Sequence, residues 1–264
     1  MVDAVAALLA DPASALIALD FDGTLAPIVE RPEDARLAAG GYDVLASLAA
    51  RIGQLAVISG RAADEVVALG GLAELSNLQV LGHYGLQRWH NGSLDSPVPA
   101  PGVDVARRQL PAVLADAPAG VYIEDKTHSL AVHTRPAKQP QQALDGLAPV
   151  LRRLAADAGL EAVPGRFVLE LRPPGVDKGT ALRALVSEVA ATTVIYIGDD
   201  VGDLPAFRAV ADLRESGEVA GLAVVAISSG TLEVPPELSE SADLVLPGPD
   251  AVIGWLIGLD AMLG

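Results

Sequence analysis

An apolar run, Ala15–Leu19, leads directly into Asp20–Phe21–Asp22–Gly23–Thr24. Gly23 permits a tight turn, so both carboxylates can sit at the end of a strand. One could attack phosphorus while the other serves as acid and then as base. By itself the pair also reads as an Asp-Gly turn with an incidental second acid. A second run, Leu55–Ile58, ends in Ser59–Gly60–Arg61 at a helix start. There a hydroxyl and free backbone N–H groups can bind phosphate, although Ser59 equally suits a plain helix N-cap. Lys178–Gly179 precedes another helical pattern and could neutralise phosphate, or simply lie at the surface. A third run, Thr193–Ile197, ends in Gly198–Asp199–Asp200, with Asp203 following. Clustered carboxylates there suit magnesium, a hard ion that prefers oxygen, or form a solvated acidic loop. Each element alone is ambiguous. Four in this order, three of them at the ends of apolar runs, favour phosphoryl transfer over coincidence.

Continuous apolar runs of this length suit parallel strands buried on both faces. Helical patterns at Gly40–Arg51, Ala62–Leu69, Gly179–Ala190 and Leu204–Ala211 alternate with them. Further strands are expected at Leu222–Ile227 and Leu244–Leu246, and a closing helix at Ala251–Leu263. The fold class is therefore α/β, with a doubly wound, mostly parallel sheet.

The middle of the chain has a different pattern. Val98–Gly102 is proline-rich and marks a boundary. Helices are then expected near Val103–Ala115 and Gln139–Ala158. Strands are expected at Val121–Glu124, Ser129–Thr134, Leu160–Val163 and Phe167–Leu171, before Arg172–Gly175 returns the chain to the first pattern. The division expected is residues 1–102 and 173–264 as a catalytic core, with residues 103–172 as an inserted α+β cap. Such an insertion usually sits over the strand C-termini, where open α/β sheets bind ligands.

The four motifs resemble those of the haloacid dehalogenase superfamily of phosphohydrolases. The resemblance implies a nucleophile at Asp20, which forms an aspartyl-phosphate, and a general acid/base at Asp22. It gives Ser59, Gly60 and Lys178 to the phosphoryl group. Magnesium would be held by Asp20, the backbone carbonyl of Asp22, and Asp199, with Asp200 and Asp203 supporting. Three stretches narrow the family: DFDGTLAPIVE from Asp20, EDKTHSLAVHTR from Glu124, and ELRPPGVDKG from Glu170. Together they are similar to trehalose-6-phosphate phosphatases over nearly the whole chain. That likeness implies magnesium-dependent hydrolysis of trehalose 6-phosphate, the last step of trehalose biosynthesis. It also implies that Glu124, Lys126 and Glu170 hold sugar hydroxyls, although an exposed cross-strand ion pair would use the same residue types. His133 and Arg135, two apart on one strand, would share a face, and His83 lies in a glycine-flanked turn. The last motif departs from the commoner family form at Gly202 and Leu204. Rival readings are a phosphatase for another sugar phosphate, such as sucrose phosphate or a glucosyl-glycerate phosphate, and a catalytically silent sugar-phosphate sensor.

Composition sets outer bounds. The chain has 264 residues, 34 Asp and Glu against 18 Lys and Arg, and no cysteine. The acidic balance argues against a nucleic-acid binder, yet leaves an anionic substrate open because a divalent metal inverts the local field. Thiolate zinc sites and disulfides are excluded. No uncharged apolar run is long enough to span a membrane, and Asp3 and Asp11 break any signal-peptide pattern. A cytoplasmic protein acting on a small-molecule sugar phosphate is expected, with a monomer as the working assumption. Lysine stands at three positions only, 126, 138 and 178. Codon bias accounts for most of that scarcity, but a compact ammonium also does work that a guanidinium cannot.

Overall fold

Every residue of Ala15–Leu19 (β1) is apolar, and all five are buried. Ala15, Ile17 and Leu19 join one hydrophobic core, while Leu16 and Ala18 join another. That alternation follows from the strand's period of two and requires a sheet covered on both sides. The computed structural model describes residues 2–227 and 236–264. They form two units: the chain up to Ser96 with Asp177–Gly264, and Pro97–Val176. The proline-rich stretch 97–102 and the turn 173–176 thus go with the inserted unit, several residues beyond the boundaries expected from sequence.

The first unit begins with α1 (Val2–Ala10) before β1, then α2 (Gly41–Ala49), β2 (Gln54–Ile58), α3 (Ala63–Gly70), β3 (Leu78–Gly82), β4 (Gln87–His90) and β5 (Ser93–Asp95). The second holds α4 (Pro101–Val113), β6 (Tyr122–Asp125), β7 (Leu130–His133), α5 (Pro140–Asp157), β8 (Glu161–Gly165) and β9 (Val168–Arg172). The chain returns as α6 (Lys178–Glu188), β10 (Thr193–Gly198), α7 (Leu204–Glu215), β11 (Ala220–Ala226), α8 (Pro236–Glu240), β12 (Leu244–Leu246) and α9 (Gly248–Met262).

In the first unit eight strands form one sheet in the order β12-β11-β10-β1-β2-β3-β4-β5. Pairings from β12 to β3 are parallel; β4 and β5 add an antiparallel edge. One face is covered by side chains such as Leu8 of α1, Leu45 of α2, Val66 of α3 and Leu256 of α9. Leu182 of α6, Phe207 of α7 and Leu238 of α8 cover the other. Register then fixes the working edge. Leu19 pairs with Val57 and Ile197, so Asp20, Ser59 and Asp199 leave the sheet at the same end, where such sheets bind ligands.

Strands β3 to β5 escaped the sequence reading for a physical reason. Gln79 interrupts the apolar run of β3, yet it is buried and donates to Gln54 Oε1 at 3.1 Å, joining two polar side chains inside the sheet. Strands β4 and β5 are short and partly exposed, so their hydrophobic signal is weak.

The second unit is a four-stranded antiparallel sheet, β6-β7-β9-β8. Leu130, Val132, Leu169 and Leu171 pack against Val103 and Leu110 of α4 and Leu144, Leu151 and Leu154 of α5. Alternation places Tyr122, Glu124, Ala131, His133 and Glu170 on the opposite face. One correction concerns Arg135. β7 ends at His133, and Ala137 N–H donates to Thr134 O at 2.9 Å, closing a turn at Pro136. Arg135 therefore lies in that turn and shares no strand face with His133. Among the described residues no helix is long and apolar enough to cross a membrane.

Candidate active site

Lys178 is the first residue of α6, a helix capped by Asp177, whose carboxylate accepts from Thr180 N–H at 2.7 Å. Its side chain runs into the protein and is buried, so the surface alternative left open by sequence falls away. The ammonium lies 2.7 Å from Asp20 Oδ2 and 2.7 Å from Asp203 Oδ1. Burial works against the charged amine, but Asp20 and Asp203 outweigh it and raise the Lys178 pKa well above the ordinary value. Asp203 is completely buried and fully engaged. Its Oδ1 also accepts from Tyr196 Oη at 2.6 Å, and its Oδ2 accepts from the N–H groups of Asp199 and Asp200 at 3.0 and 3.1 Å. Asp200 caps the turn in return, accepting from Gly202 N–H at 2.8 Å.

Asp20 is held by its own neighbours. Its N–H donates to Ile197 O at 2.8 Å, and its Oδ1 accepts from Phe21 N–H at 2.7 Å. Oxygen atoms of Asp20, Asp199 and Asp203 lie within 4.8 Å of one another. Burial chiefly pushes Asp20 up to about 8; Lys178 pulls it down and Asp203 pushes it further up. Burial, followed by Asp20, pushes Asp199 up to about 10. Two buried carboxylates competing for one ammonium leave negative charge to be neutralised. An all-oxygen donor set with that excess fits a hard divalent cation. Asp203 already satisfies four hydrogen bonds, so the carboxylates free to ligate are those of Asp20 and Asp199. Thr24 Oγ1 donates to Asp199 Oδ1 at 3.4 Å.

Asp22 has a different partner. Arg61 forks onto it, Nε to Oδ2 at 2.6 Å and Nη2 to Oδ1 at 2.8 Å, and also contacts Glu65. Arg61 N–H donates to Ser59 Oγ at 3.2 Å within the second motif, while its guanidinium ties that motif to the first. Helix α3 starts at Ala63 with Ala62 as its N-cap, so Ser59 is not a helix cap. Gly60 lies beneath Tyr84, whose hydroxyl would be 2.8 Å from any Cβ added there. His83 and Tyr84 both have positive φ, 48° and 59°. The turn they form is pinned to this loop by His83 N–H to Arg61 O, 2.8 Å, and Tyr84 N–H to Ser59 O, 2.9 Å.

In the second unit, Lys126 Nζ lies 3.6 Å from Glu170 Oε1 and 4.0 Å from Glu124 Oε2. Ser129 Oγ donates to Glu170 Oε1 at 2.6 Å, and His133 Nε2 lies 2.7 Å from Glu124 Oε2. The turn carrying Lys126 is braced from behind. Arg107 of α4 bonds both oxygens of Asp125, at 2.5 and 3.0 Å, and Thr127 O at 3.1 Å. Thr127 takes a positive φ of 68° there.

Arg61, Tyr196, Thr24 and Arg107 were not singled out from sequence for any role. Arg61 and Thr24 left a trace, since they close the Ser-Gly-Arg and Asp-Phe-Asp-Gly-Thr runs; Tyr196 and Arg107 are recognisable only through their tertiary contacts.

A sequence model of the trehalose-phosphatase family matches residues 18–233. A trehalose-phosphate phosphatase of Mycobacterium avium is 33% identical over 217 residues, covering 78% of this chain and 53% of that protein. An uncharacterized glycosyl hydrolase of Mycobacterium tuberculosis is 37% identical over 205 residues, which are 73% of this chain and 15% of the relative. The chain thus spans about half the length of the first and a small part of the second. Among solved structures, trehalose-6-phosphate phosphatase of Aspergillus fumigatus superposes with a TM-score of 0.68 at 25% identity, covering 97% of each chain. The C-terminal domain of the Candida albicans trehalose-6-phosphate phosphatase shares the fold with a TM-score of 0.78 at 20% identity, over 97% of this chain and 95% of that one.

Proposed function

Because this chain belongs to the trehalose-phosphatase family, we propose that it hydrolyses trehalose 6-phosphate to trehalose and phosphate through an aspartyl-phosphate on Asp20, with magnesium. The observation carrying this reading is the buried array Asp20–Lys178–Asp203, with Asp199 beside it at the end of the parallel sheet.

Magnesium would be held by the Asp20 and Asp199 carboxylates and the Asp22 carbonyl. When bound it supplies positive charge for the phosphoryl oxygens. The chain's own groups do the rest. An Asp20 carboxylate oxygen attacks phosphorus as the bond from phosphorus to the sugar oxygen breaks. Asp22 gives its proton to the departing sugar oxygen. In the second half, Asp22 takes a proton from water, which attacks phosphorus and releases Asp20 and inorganic phosphate. Lys178 and the Ser59–Gly60 loop offset charge on the phosphoryl oxygens. The Arg61 fork matches Asp22 in its carboxylate form, the form that accepts the proton from water. Asp203 holds the ammonium of Lys178 and orders the Asp199–Asp200 turn. Glu124, Lys126 and Glu170 of the second unit supply hydrogen bonds to sugar hydroxyls, which makes that unit the one that selects substrate.

Phosphate release from trehalose 6-phosphate, glucose 6-phosphate and sucrose 6-phosphate, with and without magnesium, tests the reading. Turnover should be magnesium-dependent and should favour trehalose 6-phosphate at least tenfold in kcat/KM, the margin that roughly one good hydrogen bond provides. Equal rates on all three would refute the assigned sugar, and magnesium-independent turnover would refute the mechanism.

A further inference from the structure

Tyr122 and His133 face each other across the β6–β7 pairing, on the side of the sheet turned away from the apolar core. Their rings stack, with centroids 4.8 Å apart and planes 10° from parallel. This stack lies outside the core: Tyr122 is on an edge strand and 49% exposed. Beside it stands Glu124, whose Oε2 is nearer to His133, at 2.7 Å, than to Lys126, at 4.0 Å. The next position across the sheet is Ala131, opposite both Glu124 and Glu170. A small buried residue between two acids, a lysine near both, and an aromatic stack at one end place polar groups and a flat ring on one face of the sheet.

We propose that Tyr122 and His133 form an aromatic wall of the sugar site: Tyr122 stacks on the C–H face of a hexopyranose ring, and His133 is a positioning residue that holds Glu124 for the hydroxyls of that ring. A pyranose has polar edges and an apolar face, so it needs a flat ring and in-plane acceptors together. An aromatic ring has a negative face that attracts the sugar's C–H groups. The imidazole keeps Glu124 oriented when Lys126 turns toward a hydroxyl. This inference rests on the reading of the chain as a sugar-phosphate phosphatase.

The test uses the full chain with magnesium. Tyr122→Ala, Tyr122→Phe, His133→Ala and His133→Gln are assayed on trehalose 6-phosphate and on a small aryl phosphate, and kcat and KM are resolved for each. The aryl phosphate reports on folding and core chemistry in the same preparation. Tyr122→Ala should raise KM for the sugar phosphate roughly 3- to 10-fold more than for the aryl phosphate, the scale of one aromatic contact. Tyr122→Phe keeps the ring and should recover most of that loss. His133→Ala should lose on the order of 10-fold on the sugar phosphate, as for a hydrogen bond to a charged group. His133→Gln retains a donor and should recover part of it. Equal losses on both substrates, no loss on either, or Tyr122→Phe as poor as Tyr122→Ala would each overturn the wall while leaving the phosphatase assignment intact. A wild-type chain that fails to prefer trehalose 6-phosphate overturns both.

Discussion

A methyl group at position 23 would stand 2.0 Å from Asp199 Oδ2, in a backbone with φ of +75°. Glycine therefore lets the loop after β1 press against a carboxylate proposed to hold magnesium. Gly23→Ala should displace Asp199 and weaken magnesium binding by roughly 10- to 100-fold, the usual range for disturbing the surroundings of a metal ligand. A magnesium titration of the rate checks it; an unchanged half-saturation would remove Asp199 from the site. Asp20→Asn should abolish turnover with the fold retained by circular dichroism, because an amide cannot form the acyl-phosphate; full activity in that variant would end the nucleophile assignment. At this scale the sequence was informative where the proposed chemistry sits at strand ends. Asp20, Ser59 and Asp199 follow apolar runs, and that adjacency is visible in one dimension. Arg61 on Asp22 and Tyr196 on Asp203 were not legible, because one contact depends on where a loop folds back and the other on a side chain within β10 reaching the turn that follows.

In the turn at Asp125–Thr127 the side proposed to hold sugar and the side that is braced are separate. Lys126 stands beside Glu124 and Glu170, while Arg107 grips the backbone and Asp125 from behind. Lys126→Ala should cost roughly 10- to 150-fold in kcat/KM on trehalose 6-phosphate, as expected for one hydrogen bond to a charged group. The loss on an aryl phosphate should be several times smaller, and Lys126→Arg should rescue only in part, since a planar fork places its donors differently. Arg107→Ala acts through the turn alone and at a partly exposed ion pair, so about 1 kcal/mol, or roughly fivefold, is the expected scale. Comparing the two substrates in one preparation separates the effects; a larger loss for Arg107→Ala than for Lys126→Ala would mean that the brace maintains the whole unit. Elements with a clear signal were legible, the continuous apolar runs of β1 and β12 to the residue and the strands and helices of the second unit to within a few. Those that were missed include α1, whose almost uniformly apolar stretch has little period, β3, interrupted by Gln79, β4 and β5, weakened by exposure, and the single short turn of α8. Lys178 was misplaced by one step, just before α6 rather than within its first turn, because a capping Asp precedes a lysine that is buried instead of solvated.

Across the whole chain the formal charge is −16, and part of that excess is concentrated in Asp20, Asp199 and Asp203. Saturating magnesium at roughly 100 times its dissociation constant should stabilise the fold by about 2.7 kcal/mol. For a chain of this length that is a rise of about 5–10 °C in Tm, absent after chelation and absent in Asp199→Ala. Calcium should restore little turnover after chelation because its larger, looser coordination spoils in-line geometry. The placement of β1 between β2 and β10 has a separate consequence, for synthesis. Ala15 pairs with Thr193, so the central strand has an open edge until the ribosome has made the entire inserted unit and α6. The inserted unit, drawn from one contiguous stretch, has no such wait. A nascent chain of this protein should thus carry a finished insertion while its larger sheet is still half built, with the β1 edge exposed to other chains. Loop-closure cost delays such distant pairings, and unpaired apolar edges invite aggregation. Arrested chains from which β10 has not yet emerged should accordingly be the ones that chaperones bind, and release should coincide with its emergence.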